Sequence, residues 1–190
     1  MDALYAHLIP LLWLAWLAYW TIAARGVKQD RRQESLASRL AHVLPLALAA
    51  LLLWLPRLPG GFLCSRILPA TAATFFIGAV VVVAGLAFSI WARVHLGRNW
   101  SGIVTLKQDH ELIRSGPYRF VRHPIYSGLL LAFAGSAIAR GEWRGALALV
   151  IVFLALWRKL KLEERWMVET FGERYLRYRA EVRGLIPFVF

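Results

Sequence analysis

ATAATFFIGAVVVVAGLAFSIWA, residues 70–92, is 23 residues long and contains no charged side chain. At ~1.5 Å per residue a helix of that length is about 35 Å long, enough for a hydrocarbon core of roughly 30 Å. A run so uniformly apolar is the core of a bilayer span rather than one face of a soluble helix.

Four further apolar runs flank it. Leu4–Ala24 is nearly as long, and Leu40–Leu55 is interrupted by Pro45. Ile125–Ala139 and Gly145–Trp157 are shorter, about 20–23 Å as helices. The brief link Arg140–Arg144 joins this last pair, which reads as an antiparallel hairpin whose outer ends emerge on one side. The expected fold is all-α: a polytopic membrane protein of about five transmembrane helices, followed by a C-terminal amphipathic region, Arg158–Arg183, of two short helices broken at Gly172. One membrane domain is expected over 1–190, divided into N-terminal helices (1–98) and a half that carries the polar motifs (99–190). Leu4–Ala24 lacks the basic lead of a signal peptide and reads as a retained span.

The chain is 59% hydrophobic yet carries a net charge of +12, from 23 Lys and Arg against 11 Asp and Glu. The basic residues lie between the apolar runs: five in 25–39, six in 93–122 and eight in 158–183, against Arg57, Arg66, Arg140 and Arg144 on the other side. That asymmetry puts the long basic segments and the C-terminus in the cytoplasm and the N-terminus outside. It also suits contact with anionic lipid headgroups, and membrane-length apolar runs are the wrong layout for a nucleic-acid binder. The short chain points to a prokaryotic inner membrane. Cys64, the single cysteine, has no disulfide partner. The five histidines show no metal-ligand spacing, so no metal is expected.

Two polar constellations stand out. In RSGPYRFVRHPIYSG, Arg114–Gly128, Ser115-Gly116-Pro117 reads as a turn and Pro124 as the first residue of the fourth helix, where its missing N–H costs nothing. Gly128 reads as a close helix contact. Tyr118 and Tyr126 offer ring faces to a cation, and His123 sits at a helix start suited to an anion. A headgroup anchor fits the same residues. The second constellation is Glu163-Glu164, just after Arg158, Lys159 and Lys161. Adjacent carboxylates beneath a membrane hairpin are costly unless paired or used, and the hairpin returns them to the side from which Tyr126 departs.

With HELIRSGPYRFVRHPIYSG (His110–Gly128) followed by EERWMVETFGERYLRYRAEVRGLIPF (Glu163–Phe188), the C-terminal half resembles the isoprenylcysteine carboxyl methyltransferase family and, more loosely, the phospholipid N-methyltransferases. The resemblance implies a membrane-embedded methyltransferase using S-adenosylmethionine. It implies a cofactor pocket lined by His110, Glu111, Leu112, Ile113, Tyr118, His123, Pro124, Ile125, Tyr126 and Glu163. It also implies a substrate-carboxylate cation at the position of Lys159, with Arg158 beside it and Glu164 close behind the glutamate. Lysine there keeps the charge of the family's arginine but not its bidentate fork. The acceptor would be an isoprenoid or lipid-like molecule entering from the bilayer. A carboxylate acceptor needs only a positioning cation, whereas an amine must first lose a proton, to His123 or Glu164. A phospholipid amine N-methyltransferase and a non-catalytic lipid-binding protein are the competing readings.

Overall fold

The computed structural model describes residues 2–25, 27–28, 30–55, 61–107 and 111–186. Each of the five apolar runs forms a helix: α1 (Asp2–Ala23), α2 (Leu36–Trp54), α3 (Ala72–Leu96), α4 (Pro124–Arg140) and α5 (Trp143–Phe171), with α6 (Glu173–Glu181) last. Two stretches, Leu36–Trp54 and Ala72–Asn99, are long and apolar enough to cross a membrane. His7–Ala23 and Pro124–Arg140 are apolar but shorter.

Local chemistry sets the helix ends. Ser35 and Thr71 cap α2 and α3, accepting the Ser38 and Thr74 N–H groups at 3.2 and 3.1 Å. Pro124 occupies the first position of α4, directly after His123, as the sequence suggests.

One expectation is corrected. Arg158–Phe171 is not a separate amphipathic helix but the continuation of α5, which runs unbroken for 29 residues, about 44 Å. Between Trp157 and Phe171 there is neither Gly nor Pro, and Leu156, Lys159, Leu160 and Glu164 extend one buried stripe past the apolar part. The break comes only at Gly172, whose φ of +51° a side chain would resist.

A seam of small residues joins α3 to α4. A Cβ on Gly78 or Gly85 would lie 2.5 Å from the backbone nitrogen of Ala139 or Ala132, and one on Gly128 or Gly135 would lie 2.6 Å from the carbonyl of Gly85 or Gly78. Without side chains in the way the two backbones approach closely, the device by which helices associate where no hydrophobic effect separates protein from lipid. Buried tryptophans of α1 tie to the same pair: Trp13 Nε1 donates to Ser136 Oγ at 3.1 Å and Trp16 Nε1 to Ser89 Oγ at 2.8 Å. Outward-facing Leu11, Leu14, Ile77, Val80, Val150 and Leu154 remain exposed, an apolar surface suited to lipid.

At one end of the bundle, β1 (Asp30–Gln33) pairs antiparallel with β2 (Thr105–Lys107), with an irregularity between Asp30 and Arg32. This two-stranded ribbon has no counterpart in the sequence reading. It brings the α1–α2 connection against the α3–α4 connection and closes one side of a cavity.

Candidate active site

The cavity, of about 280 Å³, lies between the bundle and the elements packed against its end. Trp16, Trp20 and Leu46 line one part of it, and Tyr118, Tyr126, Lys159 and Glu163 another. Aromatic walls with a few convergent polar groups are the usual make-up of a small-molecule site.

Three pieces of chain converge on the polar part. The first is a tight 3-10 turn, Gly116–Arg119, entered through Gly116 at φ +59°; a Cβ there would also strike the His95 ring at 2.7 Å. That turn buries Tyr118, whose carbonyl accepts the Tyr178 hydroxyl at 2.5 Å. The second is the start of α4. His123 and Tyr126 sit one turn apart with rings nearly parallel, 5.5 Å between centroids and 7° between planes. The third is the extension of α5, which presents Lys159, Glu163 and Glu164 from successive turns of a rigid helix. Segment 182–185 straps the first two together: the Arg122 and His123 N–H groups donate to the Arg183 and Gly184 carbonyls at 2.8 and 3.0 Å.

The charged groups form a chain. Tyr126 donates its hydroxyl to Glu163 Oε1. Glu163 Oε2 lies 3.4 Å from His123 Nδ1, and Glu164 Oε1 lies 3.4 Å from His123 Nε2, ion-pair contacts on both edges of one imidazole. Glu164 is in turn gripped by Arg122, whose Nε donates at 2.7 Å and whose second amino group sits at 2.5 Å. The remaining Arg122 amino group donates to the Arg179 and Val182 carbonyls, so this guanidinium is fully engaged. Lys159 is 9% exposed and donates to the Gly102 carbonyl at 3.1 Å, with its ammonium 5.4 Å from the Tyr126 ring centre.

The proton balance follows from this packing. Burial alone would lower the His123 pKa, but the two carboxylates flanking the ring outweigh it and hold the imidazole above its ordinary value. Burial would raise Glu163, yet His123, Lys159 and Tyr126 together pull it below the usual carboxylate range. Glu164 also resists its burial, drawn by His123 and Arg122 down to about 2. Burial, reinforced by nearby carboxylates, pushes Tyr118 and Tyr175 up, so both remain neutral phenols. The cluster thus holds two ionised carboxylates at neutral pH, set against Arg122, Lys159 and an imidazole whose protonated form they favour.

Of the residues singled out from sequence, Glu111, Leu112, Ile113, Tyr118, His123, Ile125, Tyr126, Lys159 and Glu163 line the cavity. Pro124 is buried behind that wall. Glu164 stands outside the lining, against Arg122 and His123. Arg158 turns the other way, its guanidinium on the Ser38 carbonyl and hydroxyl at 3.1 and 3.3 Å. His110 lies outside the described residues. Arg122, Trp16, Trp20, Trp100 and the segment 101–105 also line the cavity without having been anticipated. For Trp16 and Trp20 a signal existed in their i, i+4 spacing on one helix face. Among the described residues no cluster of three or more His, Cys, Asp or Glu could hold a metal ion.

Comparison with known proteins places this geometry. A family model described as phospholipid methyltransferase matches residues 73–174, just over half of the chain. A probable protein-S-isoprenylcysteine O-methyltransferase of Oryza sativa subsp. indica is 31% identical over 120 residues, 60% of this chain and 61% of that protein. The Saccharomyces cerevisiae protein-S-isoprenylcysteine O-methyltransferase is 30% identical over 126 residues, 63% of this chain and 52% of the other. Among solved structures, the eukaryotic intramembrane Ras methyltransferase, isoprenylcysteine carboxyl methyltransferase, superposes with a TM-score of 0.59 at 20% identity, covering 90% of this chain and 53% of that one. The fold is thus shared, and the matches span about half to three-fifths of these relatives' lengths.

Proposed function

The chain belongs to the phospholipid methyltransferase family, and from that premise we propose a membrane-embedded enzyme that moves a methyl group from S-adenosylmethionine to the carboxylate of an isoprenylcysteine-like or other lipophilic acceptor. The observation that carries the reading is the continuity of one cavity from the indoles of Trp16 and Trp20 to the Tyr126–Glu163–His123 cluster and Lys159. The apolar part suits a prenyl or acyl chain, and the polar part suits a charged donor and a carboxylate.

The residues present fit S-adenosylmethionine. Its cationic and zwitterionic ends call for carboxylates, ring faces and a cation. Glu163, Tyr118, Tyr126 and Lys159 supply those types, with Glu111, Leu112, Ile113, His123 and Ile125 completing the lining and Pro124 setting the wall behind them. When bound it supplies the methyl group. Methyl transfer to a carboxylate asks the protein for alignment and exclusion of water rather than proton transfer. Among the described residues Lys159 commits one of its three N–H donors, to Gly102, and is the group to hold the acceptor carboxylate. Glu163, fixed by Tyr126 and His123, holds negative charge where the donor's ammonium or sulfonium would lie. Glu164 and Arg122 keep His123 in place, and Arg158 supports the helix surround from outside.

The second reading, methylation of a phospholipid amine, is favoured by the family's description. It requires a base for the acceptor ammonium, whereas a carboxylate acceptor requires only a positioning cation, which Lys159 supplies. The carboxylate reading is therefore the stronger. We further propose about five spans with the N-terminus outside and the C-terminus cytoplasmic, in a prokaryotic inner membrane, and a single domain whose 99–190 half carries the donor site.

Two experiments decide among these readings. Membranes supplied with methyl-labelled S-adenosylmethionine should place label in a base-labile ester; label in a base-stable headgroup would select the amine reading. Calorimetry with S-adenosylhomocysteine on the detergent-purified chain should give saturable heat, and its absence would leave the non-catalytic lipid-binding protein.

A further inference from the structure

Glu34 lies between β1 and α2, outside the residues matched by the family model. Its side chain is 1% exposed, and three groups converge on the carboxylate. The Val104 N–H donates to Oε1 at 3.0 Å while the Glu34 N–H donates back to the Val104 carbonyl at 3.0 Å. Ser38, one helical turn on, donates its hydroxyl to Oε2 at 2.8 Å, and His42, a turn further, brings Nε2 to 3.3 Å from Oε1. A carboxylate buried this deeply is expensive where an apolar side chain would fill the space as well, and it is satisfied here by the Val104 N–H on one oxygen and the Ser38 hydroxyl on the other.

What Glu34 holds is informative. Val104 belongs to the segment 101–105 that lines the cavity, and the carbonyl two residues before it, on Gly102, is the acceptor for Lys159. Glu34 also polarises Ser38, whose hydroxyl and carbonyl receive Arg158. The start of α2 thereby sorts two adjacent cations of α5: Arg158 is drawn outward onto Ser38, and Lys159 is directed inward under a carbonyl whose position Glu34 fixes.

We infer that Glu34 is a positioning residue for the acceptor end of the site, acting through Val104 and Gly102 on Lys159. This rests on the methyltransferase reading for its effect on turnover, but the placement of Lys159 can be measured without turnover. In the detergent-purified full chain, acetic anhydride labelling read by mass spectrometry should modify Lys159 of Glu34→Ala about tenfold faster than wild type, relative to exposed Lys161, and Lys159 of Glu34→Gln about twofold faster. Unchanged relative labelling of Lys159 overturns the inference. With labelled S-adenosylmethionine and N-acetyl-S-farnesylcysteine as the acceptor probe, Glu34→Ala should raise the acceptor KM about tenfold and leave the donor KM within about twofold, with partial rescue in Glu34→Gln. Adding Glu34→Ala to Lys159→Ala should cost no more than Lys159→Ala alone, whereas additive losses would mean that Glu34 serves the fold generally. If Glu34→Ala does not fold, Ser38→Ala, which removes one arm of the clamp, should reproduce the labelling change at about threefold, and wild-type labelling there overturns the inference equally. A wild-type chain that methylates no acceptor and binds no S-adenosylhomocysteine would sink the methyltransferase reading, while the labelling ratio still decides whether Glu34 holds Lys159.

Discussion

The half of the chain after Asn99 and the half before it meet in one cavity and bring opposite things to it. From the later half come charges: Arg122, His123, Lys159 and Glu163 in the lining with Glu164 behind them, all on α5 or just before α4. From the earlier half come rings and a brace, namely Trp16 and Trp20 on the wall and Glu34 behind the segment 101–105. Charges must sit at fixed distances from one another and so impose a recognisable order of residue types. A wall needs only bulk and apolar character, which many residues supply. On the proposed function the difference predicts a division of labour, with donor binding governed by the later half and acceptor binding shared between Lys159 of the later half and the wall and brace of the earlier.

The largest effect expected is on Glu163. Glu163→Ala removes the partner of the Tyr126 hydroxyl and one of the two carboxylates that flank the buried His123 ring. Affinity for S-adenosylhomocysteine should fall about 100-fold or more by calorimetry, with Tyr126→Phe losing about tenfold. Retention of full affinity by Glu163→Ala would remove the charge cluster from the donor site and break the division at its centre.

Glu164 tests whether the cluster also holds the fold. A carboxylate whose pKa is drawn down to about 2 when folded contributes stability above its ordinary pKa of 4.5, lost as pH falls toward 2. The contribution at neutral pH is ~3 kcal/mol for a side chain only 6% exposed. His123 has the opposite sign: with its pKa raised on folding, its contribution is complete below about pH 6.5 and is lost as pH rises through the higher folded value. Thermal unfolding of the wild type should therefore weaken on both sides of a plateau. In Glu164→Gln the acid limb between about pH 4.5 and 2 should shrink and the midpoint at neutral pH should drop. Identical acid limbs in the two proteins would show that Glu164 is not held by Arg122 and His123.

How much of this was legible in the sequence follows from the same division. The turn at Gly116, Pro124 opening α4, the small residue Gly128 in a helix contact and the break at Gly172 are each written in a few adjacent residues, so local rules reach them. The motif residues that line the cavity were reached through the family resemblance rather than through local rules, because their meeting depends on α5 returning beside α4. The continuation of α5 past Trp157 was not, because a change from apolar to charged residues marks where a helix leaves an apolar medium, not where it ends. The β1–β2 ribbon pairs residues some seventy positions apart, with no periodic pattern in strands of four and three residues. Arg122 reads as a headgroup arginine until α5 returns Glu164 beside it.

The earlier half gives a smaller effect of different kind. Trp16→Ala removes a buried indole whose Nε1 bonds Ser89 and whose ring stacks on Trp20 at 4.3 Å. The acceptor KM should rise about tenfold with donor affinity within about twofold, measured on protein that still elutes as a folded species. Equal losses for donor and acceptor would mean that the two halves form one undivided site.

The smallest effect expected belongs to Arg158, and it is the sharpest test because its neighbour in sequence is Lys159. Adjacent residues on a helix point about 100° apart, so only one of two neighbouring cations can face the cavity. Here Lys159 does, at 9% exposure, while Arg158 is exposed and rests on Ser38. An exposed cation on a carbonyl and a hydroxyl contributes little, so Arg158→Ala should change kcat and both KM values by less than about twofold, against a loss of about 100-fold in kcat/KM for Lys159→Ala. Were the two losses equal, the acceptor carboxylate would be held by a guanidinium that leaves Ser38 when the acceptor arrives, and the outward contact would be the resting position of a residue that works inside the cavity.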